Sequence, residues 1–242
     1  VDLTLDLATQ QDFLESNETE IKEQVEAGLQ QPSTREFPTR TWSASKGTYP
    51  NTLTIDYGTA GVVGLNGHVR KGKLIISLSA PLNSKGSIRM VQHENFSIDE
   101  VRISGTVTVT NKGLNGSNEP YFERIVTDRK LTFPSGKTIT WNATQTIVQI
   151  QGGDTPLFSL DDVFTIDGQS LGINRAGKNF VVTTSEPLVY RIACYWIVKG
   201  IVNITLDAKL LVINYGDGTC NNLVELTLPD GTRIESVIRR WW

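Results

Sequence analysis

The sequence contains few of the residue types that most often bind metals or carry out catalysis. Its 242 residues include one Met, two His and two Cys. The histidines, His68 and His93, lie far from each other and from the cysteines, and no CxxC motif occurs. A zinc site needs clustered ligands. We therefore expect no bound metal and no cofactor.

The sequence also lacks a strong charge, long apolar runs and nucleotide-binding motifs. The formal net charge is -3, so nothing indicates a nucleic-acid partner. No apolar run has the length of a membrane-spanning helix. A P-loop, a dinucleotide fingerprint and a G-x-S-x-G elbow are all missing. These absences weigh against the common nucleotide-dependent enzymes and against serine hydrolases.

The residue types that are abundant point to β-structure. The chain has 21 glycines, and runs rich in Val, Ile and Thr recur about every ten residues from residue 37 onward. Turn dipeptides and tripeptides separate these runs, as at Asn66-Gly67, Pro134–Gly136 and Pro229–Gly231. This spacing predicts an all-β domain over residues 36–242, built as an antiparallel multi-stranded sandwich or meander.

Residues 1–35 differ from the rest of the chain because they are acidic, rich in Gln and poor in Gly. An apolar stripe with the spacing of one helix face is formed by Phe13, Ile21, Val25 and Leu29. Ser16 is a suitable N-cap, and Pro32 would end the helix. The segment is therefore predicted to be one amphipathic helix, either docked on the β domain or acting as a tether.

The two cysteines lie at the ends of a predicted hairpin. Two β-rich runs, 192–205 and 210–215, flank a polar break at Asp207-Ala208. Antiparallel pairing around that break would place Cys194 nearly opposite Cys220. This register favours a disulfide, and hence an oxidising compartment, over the alternative of two free, buried cysteines.

Two pairs of segments resemble each other within the chain. Leu53–Gly58 (LTIDYG) is similar to Leu211–Gly216 (LVINYG), and Val101–Gly105 (VRISG) is similar to Phe164–Gly168 (FTIDG). The two matches occur in different parts of the chain. They predict a duplicated β unit with two related lobes that meet near residues 151–154.

Three stretches together resemble a known group of proteins. LTIDYGTAGVVGLNGHVRKGKLIISLSA, CYWIVKG and INYGDGTCNN are similar to elements of uncharacterised exported lipoproteins of Bacteroidetes, over most of residues 50–228. This chain departs from the pattern at Gly61–Val63, where the group often has a cysteine, and at Asn221, which replaces a carboxylate. The resemblance implies export and no established activity.

The resemblance and the start of the chain together predict where the protein acts. The chain begins with Val1-Asp2, and we expect that a leader has been removed. The group implies a lipid anchor on a cysteine lost with that leader. We therefore expect an outer-membrane-surface or periplasmic protein whose contact with membrane is limited to an anchor absent from this chain.

Carboxylates could carry glycosidase chemistry if two of them converged on a substrate. Asp56 and Asp217 would converge only if the related segments pair, whereas the adjacent Asp161 and Asp162 would point to opposite faces of a strand. We interpret all four as solvated turn residues and assign no catalytic residue. A carbohydrate-active hydrolase on a β scaffold is the alternative function.

Two polar clusters have simple structural interpretations. The corner at 216–222 is rich in oxygen donors and, with Asn214, could bind calcium, but its spacing is typical of tight turns. The basic run from His68 to Lys73 is expected to form a solvated hairpin face rather than an anion site.

Aromatic side chains give the most specific functional hypothesis. Trp42 and Trp141 lie in strands with polar neighbours, TRTWSAS and TITWNAT, where an exposed ring could stack on a sugar. The alternative is that both rings face the core. The sequence therefore predicts an exported binding or structural protein without catalysis, with a glycan or a surface protein as its partner and Trp42 and Trp141 as ligand-binding residues.

Overall fold

A computed structural model describes residues 38–64, 67–155 and 159–239, together with residues 7, 9, 11, 13–15, 20–22, 24–26 and 29. The described residues form fourteen strands, one turn of 3-10 helix at Ser159–Asp161 and, near the amino terminus, α-helix. The strands are β1 Thr39–Trp42, β2 Asn51–Asp56, β3 Val62–Val63, β4 Val69–Leu78, β5 Ile88–Ile98, β6 Val101–Leu114, β7 Pro120–Thr132, β8 Thr138–Gln151, β9 Val163–Ile173, β10 Asn179–Arg191, β11 Trp196–Leu206, β12 Lys209–Asp217, β13 Leu223–Thr227 and β14 Arg233–Val237.

The strands form one open antiparallel sheet in chain order. The order is β1-β2-β4-β5-β6-β7-β8-β9-β10-β11-β12-β13-β14, and the two-residue β3 pairs with β4 outside this path. Each strand therefore contacts its neighbours in sequence through short turns. This arrangement confirms the predicted all-β antiparallel meander.

Alternation along the strands gives the sheet one buried face and one exposed face. In β8, Trp141 and Ala143 are buried, whereas Asn142 and Thr144 are exposed. Successive residues of a strand point to opposite faces, so the Thr and Asn positions lie outside and the apolar positions inside. We refer to the buried side as the inner face and to the exposed side as the outer face.

Helical residues near the amino terminus pack against the inner face. Phe13, Leu14, Ile21 and Val25 have 0 to 1% of their surface exposed, and all four belong to the same hydrophobic core as the strands. The predicted apolar stripe is thus confirmed, and the segment is docked. Helical residues occur from Leu7 onward, well before Ser16, which lies outside the described residues, as does Pro32. Within the described ranges, no helix is long and apolar enough to cross a membrane.

The sheet curls tightly around this helical segment. Lys22 contacts Asp162, just before β9, whereas Gln24 accepts a hydrogen bond from Arg40 of β1. β1 and β9 are seven strand positions apart in the sheet, which would be about 34 Å in a flat sheet. Lys22 and Gln24 are only two residues apart in the helical segment, so their side chains could not reach two strands about 34 Å apart. The inner face is therefore strongly concave.

Bulges at glycine allow the sheet to curl. Gly105 has a φ of 98°, and a Cβ at this position would lie 2.5 Å from the carbonyl oxygen of Asp128. The register between β6 and β7 shifts at this point, between Ser104 and Thr106. A glycine bulge increases the local twist and bends the strand. The glycine is required because any side chain would collide with the neighbouring strand.

The predicted hairpin and its disulfide are confirmed. β11 and β12 pair around Asp207-Ala208, with Thr205 opposite Leu210. Cys194 lies in the turn before β11 and Cys220 in the loop after β12, and they form a disulfide with a Cα–Cα distance of 5.7 Å. Both cysteines lie beyond the paired residues of β11 and β12, where the loops bring them together.

The two similar corners have the same local hydrogen bond. The Gly58 amide donates to Asp56 at 2.8 Å, and the Gly216 amide donates to Asn214 at 2.9 Å. In each corner, the tyrosine between the two hydrogen-bonded residues is buried, at 4% exposure for Tyr57 and 2% for Tyr215. This likeness is local, and the duplication into two lobes, with its boundary near 151–154, stays a prediction.

Candidate functional site

The candidate site is a groove on the inner face, between strands β8–β12 and the helical segment. We call it the inner groove. Three helical residues, Leu7, Gln11 and Leu14, form one wall. The strands supply the rest: Trp141, Ala143, Gln145, Gly168, Gln169, Ser170, Val182, Thr184, Leu188, Val202, Ile204, Ile213 and Tyr215.

The helical wall leaves little free space in the groove. The remaining cavity has a volume of about 20 Å³, which is room for one or two water molecules. Leu7 and Leu14 are 5% and 1% exposed, so their side chains occupy most of the space between helix and sheet. A ligand larger than water can enter only if these side chains move.

The chemistry of the lining combines aromatic, aliphatic, amide and hydroxyl groups. Trp141 and Tyr215 provide the aromatic surface, Gln145 provides an amide, and Ser170 and Thr184 provide hydroxyls. None of the described lining residues is Asp, Glu, His, Lys or Arg. A surface of this kind can bind an uncharged molecule through apolar contact and a few hydrogen bonds.

Gly172 fixes the position of Trp141 at the groove. Trp141 on β8 pairs directly with Gly172 on β9. A Cβ on Gly172 would lie 1.9 Å from the Thr140 carbonyl oxygen and 2.8 Å from the Trp141 Cβ. The missing side chain therefore lets the two strands approach closely beside the indole.

A buried polar network holds the helical wall on the sheet. Arg124 on β7 has 0% exposure. Its Nε donates to the Gln145 amide oxygen at 2.9 Å, and its Nη1 donates to Glu15 at 3.0 Å. The Gln145 amide nitrogen donates in turn to Gln11 at 2.9 Å. The charge of Arg124 is thus neutralised by a helical carboxylate, which fixes the register of the helix against β7 and β8.

A second buried contact involves His93 on β5 and Arg129 on β7. The Arg129 guanidinium lies 3.0 Å from His93 Nε2 and over the Phe13 ring at 5.7 Å from its centre. His93 Nδ1 lies 3.0 Å from the Gly105 carbonyl oxygen, so it donates there while Nε2 accepts from Arg129. Burial, reinforced by the Arg129 charge, holds the pKa of His93 well below its ordinary value.

Carboxylates also lie beneath the helical segment. Asp162 is 3% exposed, contacts Lys22 at 3.3 Å and accepts a hydrogen bond from Gln149 at 2.8 Å. Burial raises the pKa of Asp162 although Lys22 opposes the shift, and burial likewise raises the pKa of Glu26. Asp162 therefore differs from our interpretation of it as a solvated turn residue, because it binds the helix to the sheet.

The two predicted tryptophans do not come together. Trp141 lines the inner groove and is 4% exposed. Trp42 lies on β1 opposite Leu53 and is half-buried against the core. Its indole nitrogen is buried and has no hydrogen-bond partner among the described residues. Ligand binding by either tryptophan stays a prediction.

Asp56 and Asp217, considered for hydrolysis, each have local partners. Asp56 accepts the Gly58 amide and lies 3.9 Å from Lys73. Asp217 accepts the Thr219 amide at 2.9 Å, and this backbone hydrogen bond lowers the pKa of Asp217. Both carboxylates are therefore used in local turn geometry, and neither lines the inner groove.

The oxygen-rich corner at 216–222 uses its side chains to close turns. Asn214, Asp217 and Asn221 each accept a backbone amide two residues further along the chain, at 2.8 to 2.9 Å. Within the described part of the chain, no group of three or more His, Cys, Asp or Glu residues could hold a metal ion. The geometry is that of Asx turns.

Arg70 departs from the solvated face that the basic run predicted. Its side chain is 7% exposed, and Nη2 donates to Glu20 of the helical segment at 2.8 Å. His68, at the start of the same run, lies beside Asp99. The inner face of β4 thus contributes a cation that binds the helix, because the helix provides a carboxylate where solvent was expected.

Comparisons with protein-family models, curated proteins and solved structures find no match. The resemblance to exported lipoproteins therefore stays a prediction, and function must be argued from the geometry.

Proposed function

We propose that this protein is an exported, non-catalytic binding protein of the periplasm or cell surface that takes up a small neutral ligand in its inner groove. The observation that carries the proposal is the lining, in which Trp141 and Tyr215 lie beside amide and hydroxyl groups with no charged residue among the described ones. A sugar ring has an apolar face for stacking and hydroxyls for hydrogen bonds, so a glycan is the preferred ligand class.

The disulfide supports the exported location. Cys194 and Cys220 are joined across two loops, and such bonds persist in oxidising compartments.

A ligand can enter the inner groove only if side chains of the helical wall move. The side chains of Leu7 and Leu14 occupy most of the groove. Moving them opposes binding and lowers the affinity for a ligand. Shortening Leu7 to Ala enlarges the groove without touching the strands. We expect the Leu7→Ala variant to bind its glycan more tightly, whereas Leu29→Ala, a helical residue outside the groove, should leave affinity unchanged.

The test begins with a glycan array and continues with isothermal titration calorimetry on the ligand found. We expect Trp141→Phe to weaken binding about tenfold, which corresponds to roughly 1.4 kcal/mol, and Trp42→Phe to have no effect. Thermal unfolding of both variants separates lost binding from lost stability. The absence of any glycan ligand, or turnover of a bound glycan, would overturn the proposal.

A further inference from the structure

The outer face carries four aliphatic side chains that are about half exposed. They are Leu171 at 51%, Ile173 at 44%, Val181 at 43% and Leu210 at 54%. Other apolar side chains of the strands are also exposed, among them Ile88, Met90 and Ile125 at 36 to 41%. Single exposed aliphatic residues are ordinary on a protein surface, but a contiguous group indicates an interaction site.

The strand register places three of these residues in one row, in which Thr205 separates Val181 from Leu210. Leu171 on β9 pairs directly with Val181 on β10, which pairs with Thr205 on β11, which pairs with Leu210 on β12. Adjacent strands are about 4.8 Å apart, so this row spans roughly 14 Å. Ile173 lies two residues beyond Leu171 on the same face. We call these four aliphatic residues the outer apolar patch.

Positive charge surrounds the outer apolar patch. The turns after β7, β9 and β11 end beside it and are linked by contacts: Arg175 lies 4.9 Å from the centre of the Phe133 ring, and Lys178 contacts Asp207 at 2.6 Å. The surrounding cations are Lys130, Lys137, Arg175, Lys178 and Lys209, and the surrounding carboxylates are Asp128, Asp207 and, in the turn after β13, Asp230. The patch is therefore locally basic on a chain whose net charge is -3.

We propose that the outer apolar patch docks this protein onto an anionic lipid surface, a contact beyond the lipid anchor to which the sequence analysis limited it. The combination of exposed aliphatic side chains with clustered basic residues is the one that binds the interface of an anionic membrane. The inference is independent of any ligand in the inner groove.

The composition of the patch argues for lipid over protein. Protein interfaces are enriched in aromatic residues and Arg and depleted in Lys, whereas here the four apolar residues are all aliphatic and four of the five cations are Lys. A second copy of the chain would bring two basic patches together, and like charges across an interface oppose association. Lipid headgroups of opposite sign remove that repulsion.

The full chain can be tested by co-sedimentation with vesicles of phosphatidylcholine alone or with one quarter phosphatidylglycerol, in 0.15 M salt. We expect binding only to the anionic vesicles, and at least tenfold weaker binding for the double variant Leu171→Ser/Leu210→Ser. Leu223→Ser/Val237→Ser is the matched control, because these two residues are also paired neighbours and each is 40% exposed. The control should bind like the parent protein.

A second pair of variants tests the charge. Lys137→Glu/Lys209→Glu should lower binding to the anionic vesicles about tenfold or more, whereas Lys46→Glu, in the turn between β1 and β2, should have a much smaller effect. Equal binding to neutral and anionic vesicles, no binding at all, or equal loss in the control variants would overturn the proposal. A dimer of the parent protein that Leu171→Ser/Leu210→Ser converts to a monomer would identify a second copy as the occupant instead.

Discussion

Arg124 and Glu15 are buried partners that join the sheet to the helical segment across 109 positions of sequence. Both Nη atoms of Arg124 contact the Glu15 carboxylate, while its Nε binds Gln145. The side chains are 1% and 6% exposed. A buried ion pair adds little net stability, but it makes one docking geometry much better than the others. This pair therefore specifies where the helical segment lies on the inner face.

Removing one partner of this pair should be costly. We expect Arg124→Met to lower the free energy of unfolding by about 3 to 5 kcal/mol, because Glu15 is left buried without its counter-charge. Chemical denaturation measures the change. The double variant Arg124→Met/Glu15→Leu should recover much of the loss, since it removes both charges.

The exposed pair of Lys112 and Glu123 provides the control. It lies 3.4 Å apart with 39% and 41% of the side chains exposed, so Lys112→Met should cost less than about 1 kcal/mol. If Arg124→Met costs no more than Lys112→Met, the network does not determine the docking of the helix.

The disulfide should stabilise the hairpin and its loops. Cys194 and Cys220 are 26 positions apart, and closing a loop of that size contributes about 3.5 kcal/mol in the chain-entropy model. We expect Cys194→Ser/Cys220→Ser to lower stability by about this amount. Reducing the parent protein with dithiothreitol should give the same loss, and should have no effect on the double variant. Mass spectrometry of the non-reduced protein should show one linked pair of peptides.

The local patterns of the sequence predicted more than its long-range contacts. Turn residues and alternation identified the meander, and the hairpin register predicted the disulfide because pairing around Asp207-Ala208 is a local consequence of antiparallel geometry. The apolar stripe through Phe13 and Val25 likewise predicted a helix with one buried face. These signals need only neighbouring residues, so a single sequence contains them.

The buried charges could not be predicted in the same way. Arg124 and Arg129 look like solvated residues of β7, and the bulge at Asp128, whose φ is 49°, changes the alternation between them so that both face inward. Their burial depends on a helical partner distant in sequence and on the curvature of the whole sheet. The inner groove was missed for the same reason, because residues from five strands and the helix form it only after the sheet curls.

Gly172 offers a test of the close contact beside Trp141. Adding a Cβ places it 1.9 Å from the Thr140 carbonyl oxygen, so Gly172→Ala should force β8 and β9 apart and cost about 3 kcal/mol. Gly116→Ala is the matched control, since no atom lies within 4 Å of its Cβ, and its cost should be within about 0.5 kcal/mol. Unfolding curves give both values, and near-ultraviolet circular dichroism reports whether the Trp141 environment has changed. Similar costs for the two variants would contradict the packing described here.

Other buried titratable groups also contribute to the pH dependence of stability. Their contributions must be distinguished from that of His93. Burial raises the pKa of Glu26 and of Asp162, so the folded protein takes up these protons before the unfolded chain does. Their effect is to increase stability as the pH falls through the raised pKa values. His93 has the opposite effect, and variants must therefore be compared with the parent protein over the same pH range.

His93 should make the folded protein less stable in mild acid. The pKa of His93 is held well below its ordinary value by burial and by Arg129, whereas in the unfolded chain it is about 6.5. As the pH falls below about 6.5, the unfolded chain gains a proton that the folded protein does not take up. Each pH unit in that window then lowers stability by up to about 1.4 kcal/mol. We expect His93→Gln to lose this dependence when unfolding is measured between pH 7.5 and 5, whereas His68→Gln, at the sheet surface, should keep it. An unchanged slope in His93→Gln would show that the His93 imidazole takes up its proton at the same pH in the folded and unfolded states, and would refute this account.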